Sequence, residues 1–596
     1  MGPSIHLLGV PRVRHAGGAS VALRGHKAWG LLAYLVAQRE AVGRPHLARL
    51  LFEEAEDPLA ALRWNLTELR RAIGHDSLRG ETIVLERDSI AFIDTDVLMH
   101  GRSCDGVQLA GLGCELLEGL SFASCPAFDV WLHAERRRMH ATTQAVLHEA
   151  ALERLAAGAA PEAVELAGRL LALDPLDESA QVLLVRCLAT AGDGVAAARQ
   201  AAACRELFKR ELGVAPGPAL TLALRTDTAA LVSRPATGRA AALAQLEAGE
   251  AAIGAGVLDA GLQCLRRAIA DADRTGDPGL RARARVALGG ALVHAARGRD
   301  SEGAAALHEA LAIGGDAAPE CAAAACRELG YVEFLLGRYE RALTWVDQAR
   351  QRANADQGEQ ARVATLHGSI LSDMAYYDRS LEQLRQAQSL AQDTGDLKQT
   401  VYAESMIGRA LVLTGRIDEA ACVLENCMGQ ARRVWTAFLP WPQSFRAEVD
   451  LMLGRVDQAF DRFEHAFALG CQLADPCWEG IAGRGLGLVA SARGDPDKAI
   501  SVLLDTLDRC GRLPDAYVWG RVYVLDSLCR LAVAQRHAHA HGWVDQLMDV
   551  SARCGMRELM VRAHRHRADL GDPHAGEASR LLASEIRSVR LSDAVA

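Results

Sequence analysis

Between residues 4 and 24 apolar and polar residues alternate loosely, punctuated by Gly, Pro and Ser, which predicts short antiparallel strands. The period then changes. HKAWGLLAYLVAQR (26–39) carries Trp29, Leu32, Leu35 and Val36 at helical spacing, and RPHLARLLFEE (44–54) predicts a second helix after Gly43. A third helix opens at Asp57-Pro58, an acid at the N-cap followed by proline at the first helical position, and closes at Gly74. Beyond it, ETIVLE (81–86) and IAFID (90–94) are apolar runs separated by Arg87-Asp88-Ser89, the pattern of a hairpin. Sheet, three helices and hairpin together predict a winged helix-turn-helix domain, placed at residues 1–98.

From about residue 127 the chain reads as almost wholly helical, and it repeats. Gly158 and Gly192, Ala163 and Ala197, and Ala167 and Ala201 each stand at the 34-residue tetratricopeptide period. Past a Pro-containing break, SRPATG (233–238), the step lengthens: LLGRYERAL at Gly337, LTGRIDEAA at Gly415, MLGRVDQAF at Gly454 and ARGDPDKAI at Gly494 each place Ala five residues after Gly. The degenerate unit DMAYYDRSL (373–381) falls between the first two. Small residues at that spacing predict close packing inside helical hairpins of about 39 residues. The expected fold is therefore mainly α, a winged helix-turn-helix followed by a tetratricopeptide-like α-solenoid, with helical modules at 99–232 and 239–590.

The third helix carries the candidate chemistry. On a helical wheel Leu59, Leu62, Leu66, Leu69 and Ile73 form one stripe and predict the buried face. Opposite stand Ala60, Trp64, Thr67, Glu68 and Arg71, with Arg63 and Arg70 on one shoulder and Asn65 on the other. A mixture of cation, acid, hydroxyl and aromatic suits base edges in a major groove, where Arg reads guanine, Glu accepts from cytosine and apolar groups touch a thymine methyl. Arg70, Arg87 in the hairpin and Arg44 at the start of the second helix are the expected phosphate contacts. Packing of Trp64 on another part of the chain is the competing reading.

Charge qualifies that picture. The whole chain carries a formal −9, and residues 1–96 hold twelve basic and twelve acidic side chains, so any nucleic-acid contact rests on a local patch. Fifteen scattered Cys, without a C-x-x-C pair, read as reduced core residues. No signal-peptide pattern and no long apolar run occur, which predicts a soluble cytoplasmic protein with no membrane association. Neither nucleotide-binding nor catalytic motifs are found, so no enzyme activity, cofactor or metal is expected. His537 and His541 in RHAHAHGW (536–543) stand at i, i+4, two nitrogens short of a zinc site. Tyr376, Tyr377, Trp435 and Trp441 concentrate aromatics in a chain with 5% of them and are candidate lining for a ligand groove, or plugs of an irregular repeat.

LLAYLVAQRE, RPHLARLLFEE, AALRWNLTELRRAIG and the ending AFIDTDV resemble, in that order, the OmpR-type winged helix of SARP-type bacterial activators. The stretch from AFDVWLHAERRRMHATTQAVLHEAALERLAAG to KRELGVAPGPALTLAL is similar to their bacterial transcriptional activation domain, and the later units resemble the sensor superhelix of large ATP-dependent activators. The resemblance implies a recognition helix whose Leu69-Arg70-Arg71 matches the family's LRR element, with Arg63, Trp64, Thr67 and Glu68 toward the groove. Glu68 departs from the basic residue common there. It implies, further, a DNA-binding transcriptional activator with double-stranded DNA and RNA polymerase or another protein as partners, a small-molecule inducer or a protein on the repeats, and scope for homo-oligomers. The alternative is a repeat scaffold whose winged helix docks protein.

Overall fold

The computed structural model describes residues 2–15, 20–21, 23–38, 41–79, 82–224, 238–315, 317–354, 356–513, 516–586 and 588. Most of the expected break at 233–238, and Glu81 of the expected hairpin, lie outside them. The chain divides into two compact units: Met1–Val146 with Arg536–Ile586, and Leu147–Gln535.

In the first unit strands β1 (Ser4–His6), β2 (Arg12–Arg14) and β3 (Ser20–Val21) precede helices α1 (His26–Ala37), α2 (Arg44–Phe52) and α3 (Pro58–Ile73). Strands β4 (Leu78–Arg79), β5 (Val84–Leu85) and β6 (Phe92–Ile93) follow. The expected hairpin between 81–86 and 90–94 does not form. Instead β4 pairs with β5, Leu78 opposite Leu85, while β6 lies parallel to β1 in a sheet ordered β3-β2-β1-β6. A three-residue hairpin loop ends in a residue at positive φ, usually Gly, and Arg87-Asp88-Ser89 has none to place there. That tripeptide coils into one 3-10 turn, with Ile90 N donating to the Arg87 carbonyl at 2.9 Å. Asp94, just after β6, then locks the sheet, its carboxylate accepting from the backbone N–H groups of Leu7 and Leu8 at 2.9 and 3.0 Å. The core collects Leu31, Leu32 and Leu35 of α1, Leu47 and Leu51 of α2, and Leu62, Leu66 and Leu69 of α3.

The second unit is a tetratricopeptide-like stack of helical hairpins. Its turns recur at Gly337, Gly415, Gly454 and Gly494, with φ of +73°, +82°, +74° and +83°. In the degenerate unit Ala375 occupies the same position at φ +63°, and Ser380, fully buried, stands where the other units place Ala. Ala342, Ala420, Ala459 and Ala499 are each 0% exposed, at the point where the two helices of a hairpin meet.

A second small position, not read from the sequence, lies seven residues before the turn, at Gly330, Gly368, Gly408 and Gly487. A Cβ on Gly408 would stand 2.4 Å from Leu424 Cδ2 on the opposing helix, whereas one on Gly429 would meet nothing within 4 Å. Gly408→Ala should therefore lower stability by about 1–3 kcal/mol through overpacking. Gly429→Ala, inside helix Ile417–Val434, should raise it by up to about 1 kcal/mol. Thermal denaturation of the two variants checks the contrast, and equal effects would refute the close approach.

Residues 159–224 build the same way: Ala163, Ala167, Ala197 and Ala201 are at most 1% exposed, following turns at Gly158 and Gly192. Glu149 and Arg341, both 3% exposed in their side chains, form an ion pair that Trp345 Nε1 joins by donating to Glu149 at 3.3 Å.

Candidate functional site: the third helix and the repeat cavity

Asp57 caps α3, accepting from Ala60 N at 2.9 Å, and Pro58 sits where no N–H is needed. Leu62, Leu66, Leu69 and Ile73 bury as the wheel predicts, but two of its positions are corrected. Leu59 is 44% exposed, because the first turn projects past the packed part of the helix. Asn65 is buried instead of standing on the shoulder, and its Nδ2 donates to the Ala61 carbonyl at 2.9 Å, which satisfies the amide within the helix.

The outward face holds Trp64 at 51% exposure, flanked by exposed Arg63, Thr67 and Arg71. Thr67 Oγ1 donates to the Arg63 carbonyl at 2.9 Å. Arg71 pairs with Glu68 at 3.0 Å one turn back, and Arg63 lies 3.7 Å from the cap Asp57. Arg70 turns toward the strand pair and donates from Nε to the Leu78 carbonyl at 3.3 Å, tying α3 to β4. Arg87 binds the Asp96 carboxylate and the Val36 carbonyl at the end of α1, so its guanidinium anchors the turn after β5. Arg44 is half-buried at the first turn of α2. Arg63, Trp64, Thr67, Glu68 and Arg71 thus share one surface, while Arg44, Arg70 and Arg87 lie around it on other contacts.

The C-terminal segment packs on α1 and α2. Tyr34 OH donates to Glu585 Oε1 at 3.0 Å and meets His46 Nε2 at 2.8 Å, while Arg557 donates to the Glu585 carbonyl. Burial, reinforced by the Glu585 charge, pushes the Tyr34 hydroxyl pKa well up, and burial with Arg49 nearby pushes His46 down. His537 and His541 do not share a helix: Arg536 reverses the chain at φ +51°, the helix begins at Ala540, and the His537 ring stacks on Trp543 at 4.9 Å. Among the described residues no group of three or more His, Cys, Asp or Glu could hold a metal, and no helix is long and apolar enough to cross a membrane.

In the second unit a cavity of about 460 Å³ opens between the first helices of successive hairpins, from Pro278–His294 to Pro476–Ala492. Trp435 and Trp441 line it, but Tyr376 and Tyr377 do not: Tyr377 is buried and Tyr376 lies under Arg379 at the start of helix Tyr377–Asp393. Tyr331, Phe334, Tyr402, Phe438, Trp478 and Tyr517 complete the aromatic lining. Phe438 falls in the same local run as Trp435 and Trp441, but the others are spread over nearly two hundred residues, so no local cluster marks them in the sequence. Trp435 and Phe438 stack with centroids 4.5 Å apart. The cations on the wall are neutralised: Arg297 binds Asp475 at 2.7 Å, Arg327 binds Glu359 at 2.7 Å, and Arg362 binds Asp396 at 2.9 Å. Burial by itself raises the Glu328 carboxyl pKa, yet Arg327 and His294 together hold it far below the usual range.

Residues 96–225 match the profile of the family described as bacterial transcriptional activator domain. No curated protein matches the chain in sequence. Among solved structures the chain is similar to a Rap protein complexed with Competence and Sporulation Factor, at 14% identity over 59% of this chain and 98% of that one, TM-score 0.44. The apo quorum sensor NprR from B. thuringiensis aligns at 12% identity over 57% and 97%, TM-score 0.38. Yeast Tom70 aligns at 10% identity over 77% and 96%, TM-score 0.29.

Proposed function

We propose, from the bacterial transcriptional activator domain that residues 96–225 match, that the chain is a sequence-specific DNA-binding activator of transcription and not a catalyst. Residues 1–98 bind DNA, 99–232 contact polymerase or a second protomer, and 239–590 receive a protein or small-molecule signal in the cytoplasm. The observation that carries this reading is the uncovered face of α3, where Trp64 stands 51% exposed between Arg63 and Arg71 on a helix whose other side is core. An exposed tryptophan amid cations is costly on a merely solvated surface and useful in a groove. Arg63, Trp64, Thr67, Glu68 and Arg71 are assigned to base edges, and Arg44, Arg70 and Arg87 to backbone contacts or to holding α3 in register.

The Arg71–Glu68 pair and the even charge balance of residues 1–96 favour a second reading, in which this face docks protein. Selection of bound duplexes from a random pool by the full-length protein separates them. An enriched motif is expected, with affinity falling steeply as salt rises. Arg63→Ala should relax base choice and Arg70→Ala should weaken all sequences, each by about 1–3 kcal/mol. A pool with no enrichment, at low ionic strength, would leave only the docking surface.

A further inference from the structure

The lining of the repeat cavity is rich in charged donors and poor in charged acceptors. Arg297, Arg327, Arg362 and His294 line it, with Asp475 as its sole carboxylate among the described residues. Asp475 is already committed. Its Oδ1 accepts from Cys477 N and Trp478 N at 2.9 and 3.2 Å, capping helix Pro476–Ala492, and its Oδ2 accepts from Arg297 Nε and Nη2. The other cations are held by carboxylates outside the lining. Glu359 lies 2.7 Å from Arg327 Nε and 3.6 Å from Arg362 Nη1, Glu328 joins Arg327 to His294 Nε2, and Asp396 takes Arg362 Nη2. Arg362, Arg327 and His294 thus form a row that borders the cavity, while the glutamates joining them do not. That pairing offsets the charge of the wall as a set, yet it leaves donors over. Nη1 of Arg297, Nη2 of Arg327 and Nε of Arg362 have no hydrogen-bond partner among the described residues, and none of the three is closed off from solvent. A guanidinium can only donate.

We infer that this cavity binds a small aromatic carboxylic acid, its carboxylate accepting from the spare guanidinium N–H groups and its ring packed on the aromatic wall. The assignment rests on the reading of the repeats as a signal-receiving module and names the class of signal. A cationic ligand would meet guanidinium groups and find the one lining carboxylate already taken, whereas a carboxylate needs no existing ion pair broken. An ionised acceptor also gains more than a neutral one, since a hydrogen bond between two charged groups is roughly twice as strong as one between neutral groups. Held by Glu328, Glu359, Asp396 and Asp475, the guanidinium groups lose little freedom on binding, which favours affinity. The ring gains through stacked and edge-on contacts, for which Trp435 and Phe438, stacked with centroids 4.5 Å apart, supply a flat surface. A volume of about 460 Å³ falls within the size of sites that enclose small ligands.

Naphthaleneacetic acid is a suitable probe, with its amide and naphthylethylamine as uncharged and cationic counterparts of similar shape, each titrated calorimetrically into the full-length protein without DNA. Saturable binding of the acid at one site per chain is expected, with the amide weaker by roughly tenfold and the amine weaker still. Arg362→Gln, at a side chain 40% exposed, should weaken the acid by roughly tenfold and leave the amide unchanged, and Arg297→Gln should act in the same sense. The acid-to-amide ratio within each variant is the readout, because a loosened fold lowers both affinities together. Thermal midpoints without probe report whether each variant keeps its fold. Absence of saturation by the acid, equal affinity for acid and amide, tighter binding of the amine, or a ratio unchanged in both variants would each overturn the assignment. Tighter binding of a tripeptide ending in phenylalanine would also overturn it, by giving the site to a peptide C-terminus. Because no DNA is present, a protein that binds the acid but selects no duplex would sink the DNA-binding reading while leaving the ligand site standing, and the converse result would do the reverse.

Discussion

Replacing Asp373 with alanine should destabilise the repeat unit by about 3–5 kcal/mol, the cost of leaving a buried cation without its partner. Asp373 and Arg409 are both 0% exposed in their side chains and lie 2.7 Å apart. The carboxylate also accepts from Tyr517 OH at 2.8 Å and from Tyr339 OH at 3.1 Å, and Arg409 donates to Tyr517 OH at 2.8 Å. The guanidinium sits over the Trp519 ring at 4.5 Å. Three separate hairpins and the residue before helix Val518–Ala534 therefore meet at one charge pair. Removing Asp373 strands Arg409; removing both, as in Asp373→Ala with Arg409→Leu, should cost less than the sum of the single changes. Denaturant titration of the double-mutant cycle checks this, and additive losses would show that the two groups do not act as a unit. The consequence reaches the cavity as well, because Tyr517 is part of its lining.

Mild acid should destabilise both units through histidines held neutral. His308, 4% exposed and edge-on to Trp345, has its pKa lowered to about 4, by burial against a smaller opposing pull from Glu149. His564, also 4% exposed, is lowered to about 4 by burial and then by Arg567, with Asp572 opposing. In the unfolded chain these rings take up protons near pH 6.5, and in the folded chain they do not until about pH 4. The unfolded state thus binds more protons between those values, so stability is full above pH 6.5 and falls as pH drops toward 4. The slope is on the order of 1.4 kcal/mol per pH unit for each histidine. His308 belongs to the second unit and His564 to the first, so both transitions shift. Thermal midpoints from pH 7 to 5 should decline, and less steeply in His308→Phe and His564→Phe. Parallel slopes in wild type and variants would show that His308 and His564 do not set the acid sensitivity.

Several local features are legible along the chain because local chemistry decides them. Asp57-Pro58 starts α3 and Gly74 ends it as their capping properties dictate. The Gly-to-Ala spacing at 337, 415, 454 and 494 marks the hairpin turns, since only a residue tolerant of positive φ can reverse the chain there and only a small one fits five residues on. The degenerate unit is harder to read, because Ala375 takes the glycine's conformation without being glycine. The leucine stripe of α3 follows from periodicity, but Leu59 escapes it, since a wheel shows which side faces inward and not how far along the helix a partner extends.

The sequence by itself determined the three N-terminal helices after a small sheet, the helical repeats and the outward face of α3, all of which follow from contacts a few residues apart and from the period of apolar side chains. Only the tertiary structure decided that β6 joins β1 and not β5, that Arg70 and Arg87 bind the fold's own carbonyls and Asp96, and that aromatics from five hairpins line one cavity. Those outcomes depend on groups tens to hundreds of residues apart finding each other, and a donor or an aromatic ring carries no mark along the chain of which distant partner will satisfy it.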